Sequence, residues 1–347
     1  VLERLREAAQ QLGQELTERI EGNPKQRSCY VIFDRRGWKP VSLDHPDFSD
    51  KEIAFLDGGS ASLFSSPSYV LTMNRVYSAR WLGKRKLLSS LKEFLSFTYA
   101  SEDGYFSRVW PLSGEVPLLP KDTVVTYREI SGIDALLRAS QLPRRTAERY
   151  QLLELIRGGG ELVVVDGSLQ EETPRERDLV SEAVKVADER GVVVGALAKQ
   201  TSLVGSVDPP IQTSLRSEWC AQVGEYRCVG SGEEEVTGKT SRVSTLYLMK
   251  LHRMSPLPYL LEVAGTDQRL HLDLIKALVA DSRDPHMPGY PHGLLEADRR
   301  ARVGQPEVKR LRGYVLTSLP DSARRILASG ELAMTVHDRL SRLNGGF

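Results

Sequence analysis

The sequence predicts an α/β fold, a sheet flanked by helices, and three observations carry that expectation. Two apolar runs in distant parts of the chain, IAFLDGGSASLF over 53–64 and ELVVVDGSL over 161–169, each lead into an Asp-Gly-(Gly)-Ser pattern. From Leu142 to Lys199 the pattern alternates helix, strand, helix, strand with short connections. At 347 residues and 40% hydrophobic content, the chain has ample material for a core.

The elements follow in order. The opening VLERLREAAQQLGQELTERIEG is an amphipathic helix whose polar face mixes acids and bases. It suits a protein partner or the domain better than a membrane, and it is unlike a signal peptide. The chain opens on Val1, so a short preceding piece is expected. Ser28 to Phe33 reads as a strand, Asp44 to Asp50 as a loop, and 53–57 as a short strand that leaves the sheet at Gly58-Gly59. Tyr69 to Leu82 reads as one long strand or a hairpin. Leu87 to Tyr99 fits a helix or a strand equally, and Phe106 to Trp110 and Thr123 to Ile130 are weaker strands.

Pro143, at the head of PRRTAERYQLLELIRGGG, marks a helix start, with an apolar stripe at Leu152, Leu155 and Ile156 and a glycine stop. A helix from Pro174 to Arg190 stops at Gly191, and the strand VVVGALAK ends at Lys199. Ser231 to Arg242 reads as an exposed loop, Thr245 to Leu251 and Tyr259 to Val263 as strands, and His271 to Ala280 as a helix. The turn-rich Ser282 to Pro291 then delivers the helix GLLEADRRARV, and DSARRILASGELAMTVHDRLSRL has apolar residues at helical spacing.

Charge and motif content narrow the chemistry. With 47 basic and 46 acidic residues the formal charge is +1, so any nucleic-acid surface must be local. Cys29, Cys220 and Cys228 lack C-x-x-C spacing, which speaks against a zinc knuckle or disulfide framework and for a reducing, cytoplasmic setting. No apolar run has bilayer-spanning length. The GKTS at 238–241 lacks the glycine that a P-loop requires, and neither H-E-x-x-H nor G-x-S-x-G occurs.

What remains is carboxylates. If the two Asp-Gly strands are neighbours, Asp57 and Asp166 project from one edge and share a cation; the bland reading of each is an Asx-turn. Glu148 or Glu154, from the preceding helix, supplies a third acid, and six residues of helix keep the two from facing one site. Asp298 competes with Glu296 for a fourth place, although acids in a first helical turn are expected from the dipole alone. Lys199 either snorkels to solvent or meets a phosphate. Arg144, Arg145, Arg299, Arg300 and Arg302 are solvated helix faces or local DNA contacts.

FLDGGS, Arg145 to Glu148, VVVDGSL, AKQTS and GYPHGLLEADRRARV, in that order over residues 50 to 305, resemble one family, the NurA nucleases. The resemblance implies a ribonuclease-H-like mixed sheet flanked by helices, with terminal helical extensions. The N-terminal helix and strand would occupy 1–50, the nuclease domain 51–305 and the C-terminal extension 306–347. It implies a deoxyribonuclease dependent on Mn²⁺ or Mg²⁺, with two ions per site, acting as a 5′ to 3′ exonuclease on single- and double-stranded DNA and as a single-strand endonuclease. It further implies a homodimer enclosing a channel, and a partnership with a HerA-type hexameric ATPase in double-strand-break end resection and homologous recombination. Position by position, Asp57, Glu148 and Asp166 match the family's metal-binding acids, and Glu148 is preferred over Glu154 on this ground alone. Asp298 matches the last metal position, Tyr290 a loop tyrosine important for activity, and Lys199 a strand-end lysine read as a phosphate or nucleophile-side contact. His292 departs from the aromatic residue that many relatives carry. Without the resemblance, the same residues support an inactive scaffold of this fold or a phosphohydrolase acting on a small phosphoester.

Overall fold

A computed structural model of the chain describes residues 39–40, 51–113, 122–126, 130, 134–169, 171, 173–199, 225–234, 242–249, 251–252, 259–265, 267–283 and 289–330. The expected leading helix, the strand over Ser28 to Phe33, the loop Asp44 to Asp50 and the end of the C-terminal stretch lie outside the described residues. The strands are β1 (Lys39–Pro40), β2 (Glu52–Ser65), β3 (Tyr69–Leu82), β4 (Arg85–Ala100), β5 (Gly104–Ser113), β6 (Asp122–Thr126), β7 (Leu162–Asp166), β8 (Val193–Ala198), β9 (Glu225–Glu234), β10 (Arg242–Met249) and β11 (Tyr259–Ala264). The helices are α1 (Ala135–Arg157), α2 (Pro174–Arg190), α3 (Gln268–Asp281), α4 (His292–Ala301) and α5 (Gln305–Ser318), and 321–330 is also helical. The chain divides into two units, Val1–Pro46 with Ala196–Pro291, and Asp47–Gly195 with His292–Phe347.

In the second of these units the strand order is β7-β2-β3-β4-β5-β6. Strands β2 to β6 form an antiparallel meander, and β7 returns parallel to β2 after the long helix α1. An antiparallel meander, a helix, and a strand that returns parallel to the first strand of the meander make a ribonuclease-H-like arrangement, a mixed sheet with flanking helices. β3 is buried on both faces for most of its length, because α1 covers one side and α4 the other. Leu87 to Tyr99 resolves as strand: Lys92, Phe94, Ser96 and Thr98 alternate into the α1 face while β3 and β5 pair with its two edges.

Two local expectations are corrected here. β2 does not leave the sheet at Gly58-Gly59 but runs on to Ser65, paired with β3 on both sides of a register shift at Leu63. Neither glycine has a positive φ; what they supply is room for backbone and side chains packed against the strand. Helix α1 does not begin at Pro143, which lies inside it. The proline removes the hydrogen bond to Ala139, at a cost of roughly 3 kcal/mol in a helix interior. Burial of Ala135, Ala139 and Leu142 against Tyr105 and Ile130 offsets that cost and carries the helix two turns further back.

Helix α2 has the boundaries its sequence demands. Thr173 and Glu176 form a capping box, Pro174 occupies the first turn, and Gly191 closes the helix at φ 66°.

In the other unit, β1-β9-β10-β11 are antiparallel neighbours and α3 starts at the side-chain cap of Asp267 on Arg269 N, 2.9 Å. The exposed loop expected over Ser231 to Arg242 is strand at its two described ends, and 235–241 lie outside the described residues. Ser231 to Glu234 belong to β9, and Glu234 pairs with Arg242 of β10. A strand ending in GSGEE shows no apolar alternation, so only its partner reveals it. The Tyr247 hydroxyl meets Nδ1 of buried His271 at 2.8 Å.

Candidate metal centre

Asp57 and Asp166 lie on adjacent strands. β2 and β7 pair in parallel with Leu56 opposite Val165, so the next residue of each strand is an aspartate. Side chains alternate along a strand, which puts Phe55, Asp57 and Gly59 on one face of β2. Helix α4 lies along that face. A Cβ on Gly293 would strike the Phe55 ring, and one on Gly59 would strike the carbonyl of Ala301. From Gly293 to Ala301 is about 12 Å of helix, and from Phe55 to Gly59 about 13 Å of strand. The helix therefore runs alongside the strand in register, and Asp298, between those two contacts, arrives over Asp57. Carboxylate oxygens of Asp57, Asp166 and Asp298 all lie within 4.8 Å of one another, each residue half-buried.

This donor set fits a hard divalent cation. Oxygens that share a Mg²⁺ or Mn²⁺ with bonds of about 2.1 Å stand about 3 to 4 Å apart. Three carboxylates so close also repel one another unless a positive charge lies among them. Local hydrogen bonds hold the group in place. Asp57 Oδ1 accepts from Gly58 N at 2.7 Å, and Asp298 accepts from Arg302 at 2.8 Å. Beyond Asp166 the chain turns at Gly167, φ 103°, and the Ser168 carbonyl accepts from Arg149 Nη2 at 2.9 Å. Arg149 is almost wholly buried; burial pulls its pKa below the ordinary guanidinium value, while Glu148 and Glu176 oppose the shift.

Glu148 is near this group but not in it. Gly58 alternates to the α1 face, and a Cβ there would collide with the Glu148 carboxylate, which is paired with Arg144. Arg144 also donates to the Gly58 carbonyl at 3.1 Å. Arg145 pairs with fully buried Glu176 at 2.8 Å. Arg299 is exposed, and Arg302 holds Asp298. Lys199 and Tyr290 belong to the other unit. The exposed Lys199 ammonium lies 4.9 Å from the ring centre of buried Tyr290, which also meets the Tyr259 ring at 5.6 Å.

The sequence leaves Glu296 and Asp298 in competition, and packing separates them. Glu296 accepts from Tyr77 at 2.8 Å and from Lys86 at 2.5 Å. Burial by itself would raise the Glu296 pKa, but these two donors outweigh it and hold the carboxyl below its ordinary value. Burial, aided by Glu296, pushes the Tyr77 phenol up. Arg149 and the Tyr77–Glu296–Lys86 cluster went unnoticed in the sequence. An arginine directly after Glu148, one turn before the apolar Leu152 and Leu153, was the available signal for the first; no local signal marks the second.

A ribonuclease-H-like sheet with three aspartates gathered on one face defines the structural class. No protein-family model matches the chain, and no curated protein sequence does. Among solved structures the chain is similar to the NurA nuclease from Sulfolobus solfataricus, with TM-score 0.52 and 15% identity over 92% of this chain and 95% of that one. That likeness is one of fold. Ciona intestinalis endonuclease V, in complex with an inosine-containing 23mer DNA, aligns with TM-score 0.37 and 12% identity over 75% of this chain and 86% of that one. Human endonuclease V aligns with TM-score 0.37 and 12% identity over 86% and 98%.

Proposed function

We propose that the chain is a divalent-metal-dependent nuclease that hydrolyses DNA phosphodiesters. The observation that carries the reading is the meeting of Asp57, Asp166 and Asp298, together with a fold shared with a nuclease. Asp57, Asp166 and Asp298 would hold one or two Mn²⁺ or Mg²⁺ ions, which would supply Lewis acidity toward the attacking water and the leaving oxygen. The same three aspartates would fix the position of the scissile phosphate through that charge. Glu148, lodged on the α1 face in the space left by Gly58, is assigned as the fourth acid once Arg144 turns toward substrate. Lys199, over Tyr290, is assigned to phosphate contact, and Arg144, Arg145, Arg299 and Arg302 to the local positive surface.

The finer reading follows the sequence resemblance: 5′ to 3′ exonuclease and single-strand endonuclease activity, within a homodimer that works with a HerA-type hexameric ATPase in end resection. The terminal stretches 1–50 and 306–347 are assigned to assembly, with 51–305 as the nuclease region. Among the described residues, no helix is long and apolar enough to cross a membrane. One observation favours an inactive scaffold instead: Asp298 and Glu148 each carry an arginine partner from within the chain. Incubation of end-labelled single- and double-stranded DNA with Mn²⁺, Mg²⁺ or chelator separates the readings. Metal-dependent cleavage supports the nuclease, and hydrolysis of a chromogenic phosphoester without DNA cleavage overturns it. Light scattering that shows a monomer at micromolar concentration removes the dimer, and co-purification tests the ATPase partnership.

A further inference from the structure

We propose that the tip of the β3–β4 hairpin and the N-terminal flank of α4 form a surface for unpaired nucleic acid beside the aspartates. This deepens, and rests on, the nuclease reading.

The tip is a two-residue connection, Gly83-Lys84, with Gly83 at φ 55° as primed hairpin turns require. It presents Lys84, Arg85 and Lys86 in succession, all exposed. Lys86 is balanced by Glu296. Lys84 and Arg85 form no ion pair among the described residues, and neither does Arg299, exposed on α4. The basic surplus that net charge hides is therefore local to this edge.

Rings accompany the charges. Trp81 and His292 meet edge to face, with centroids 5.3 Å apart, and the Lys86 ammonium lies 5.4 Å from the Trp81 ring centre. Both rings are half-buried and keep part of their surface open to solvent. Aromatic surface interleaved with lysine and arginine is what a flexible, unpaired strand uses: phosphates meet the cations and a base stacks on a ring. In a duplex the base faces are already stacked and cannot do so. An acidic protein segment would use the cations and leave the rings idle.

The surface is aligned with the metal centre. Tyr77 stands opposite Asp57 in the β2–β3 ladder, and Trp81 is opposite Ile53. Four residues separate Tyr77 from Trp81, so they share a sheet face about 13 Å apart. Along α4, His292 meets Trp81, Glu296 meets Tyr77, and Asp298 joins Asp57 and Asp166. A strand that passed over Trp81 and His292 would continue along the helix to the aspartates.

The test is binding of a fluorescent 20-nucleotide single strand, and of the matching duplex, to the full chain in EDTA, where no cleavage occurs. Lys84→Glu/Arg85→Glu is expected to weaken single-strand binding about tenfold and to reduce the slope of log affinity against log salt by about 1.4, the value for two phosphate contacts on a single strand. His292→Ala is expected to weaken it about fivefold with the salt slope unchanged, as loss of stacking does. Lys185→Glu/Arg190→Glu, which reverses two exposed charges on α2, is the charge-matched control and should bind as wild type. Single-strand affinity within twofold of wild type for the hairpin variant overturns the proposal. So does equal loss for single strand and duplex with His292→Ala silent, and so does capture of poly-glutamate in place of DNA. Failure of the nuclease reading registers separately, as wild-type protein that binds DNA in EDTA but leaves it intact in Mn²⁺.

Discussion

Arg149, buried in α1, donates to the carbonyl oxygen of Ser168 at 2.9 Å, two residues beyond Asp166. One charged side chain thus ties the helix before β7 to the loop after it. Arg149→Met would leave the carboxylates of Glu148 and Glu176 without that cation and the Ser168 carbonyl without its donor. Loss of one partner from a buried charged cluster costs roughly 3 kcal/mol or more. Urea unfolding is expected to show a loss of unfolding free energy of that size, and Arg149→Lys, which keeps the charge but not the reach, to recover only part of it.

Asp57 separates a ligand from a turn residue. Asn keeps size and can still accept from Gly58 N, so a turn role predicts near-normal behaviour. A metal role predicts that Asp57→Asn abolishes DNA cleavage in Mn²⁺ and the rise in melting temperature that Mn²⁺ produces in the wild type. Without metal, relief of repulsion from Asp166 and Asp298 should leave the variant at least as stable as wild type. Cleavage assays beside thermal unfolding with and without the ion check both halves.

Gly58 and Gly59 are adjacent, and their substitutions should differ. A methyl group on Gly59 meets the Ala301 carbonyl, which belongs to the helix that carries Asp298 and cannot swing away; one on Gly58 meets the flexible end of Glu148. Gly59→Ala should be less stable than Gly58→Ala by roughly 2 kcal/mol, the scale of overpacking against backbone. Chemical denaturation ranks the two, and equal stability would mean that α4 tolerates a shift along β2.

His271 predicts a pH effect of definite sign. Burial lowers its pKa, with Asp267 and the carbonyls of Ala264 and Gly265 opposing. The folded protein therefore resists protonation that the unfolded chain accepts near pH 6.5. The stability tied to the neutral ring is complete above pH 6.5 and falls as pH drops through that value toward the lower folded pKa. Urea midpoints at pH 7.5 and 5 should fall more for wild type than for His271→Gln. An identical fall in both would clear His271 of the effect.

Local rules decided the elements whose determinants sit next to one another. Thr173, Pro174, Glu176 and Gly191 delimit α2 to the residue, since a capping box and a left-handed glycine act within one turn. Tyr69 to Leu82, rich in Val, Leu, Thr, Tyr and Trp and open to one strand or a hairpin in the sequence, is the single strand β3. The kinship of Asp57 and Asp166 was legible as well, because two apolar strands with the same ending paired in parallel bring those endings together.

Tertiary packing decided the rest. Pro143 is interior to α1 because cluster burial outweighs a local break, and Gly58-Gly59 continue β2 because a helix and a carboxylate occupy the space that side chains would take. The choice of Asp298 over Glu296 has the same origin. Two residues apart on a helix, they point about 200° from each other. Which of them met Asp57 was set by where Gly293 and Ala301 seat α4 along β2, a contact between segments more than two hundred positions apart that no local pattern encodes.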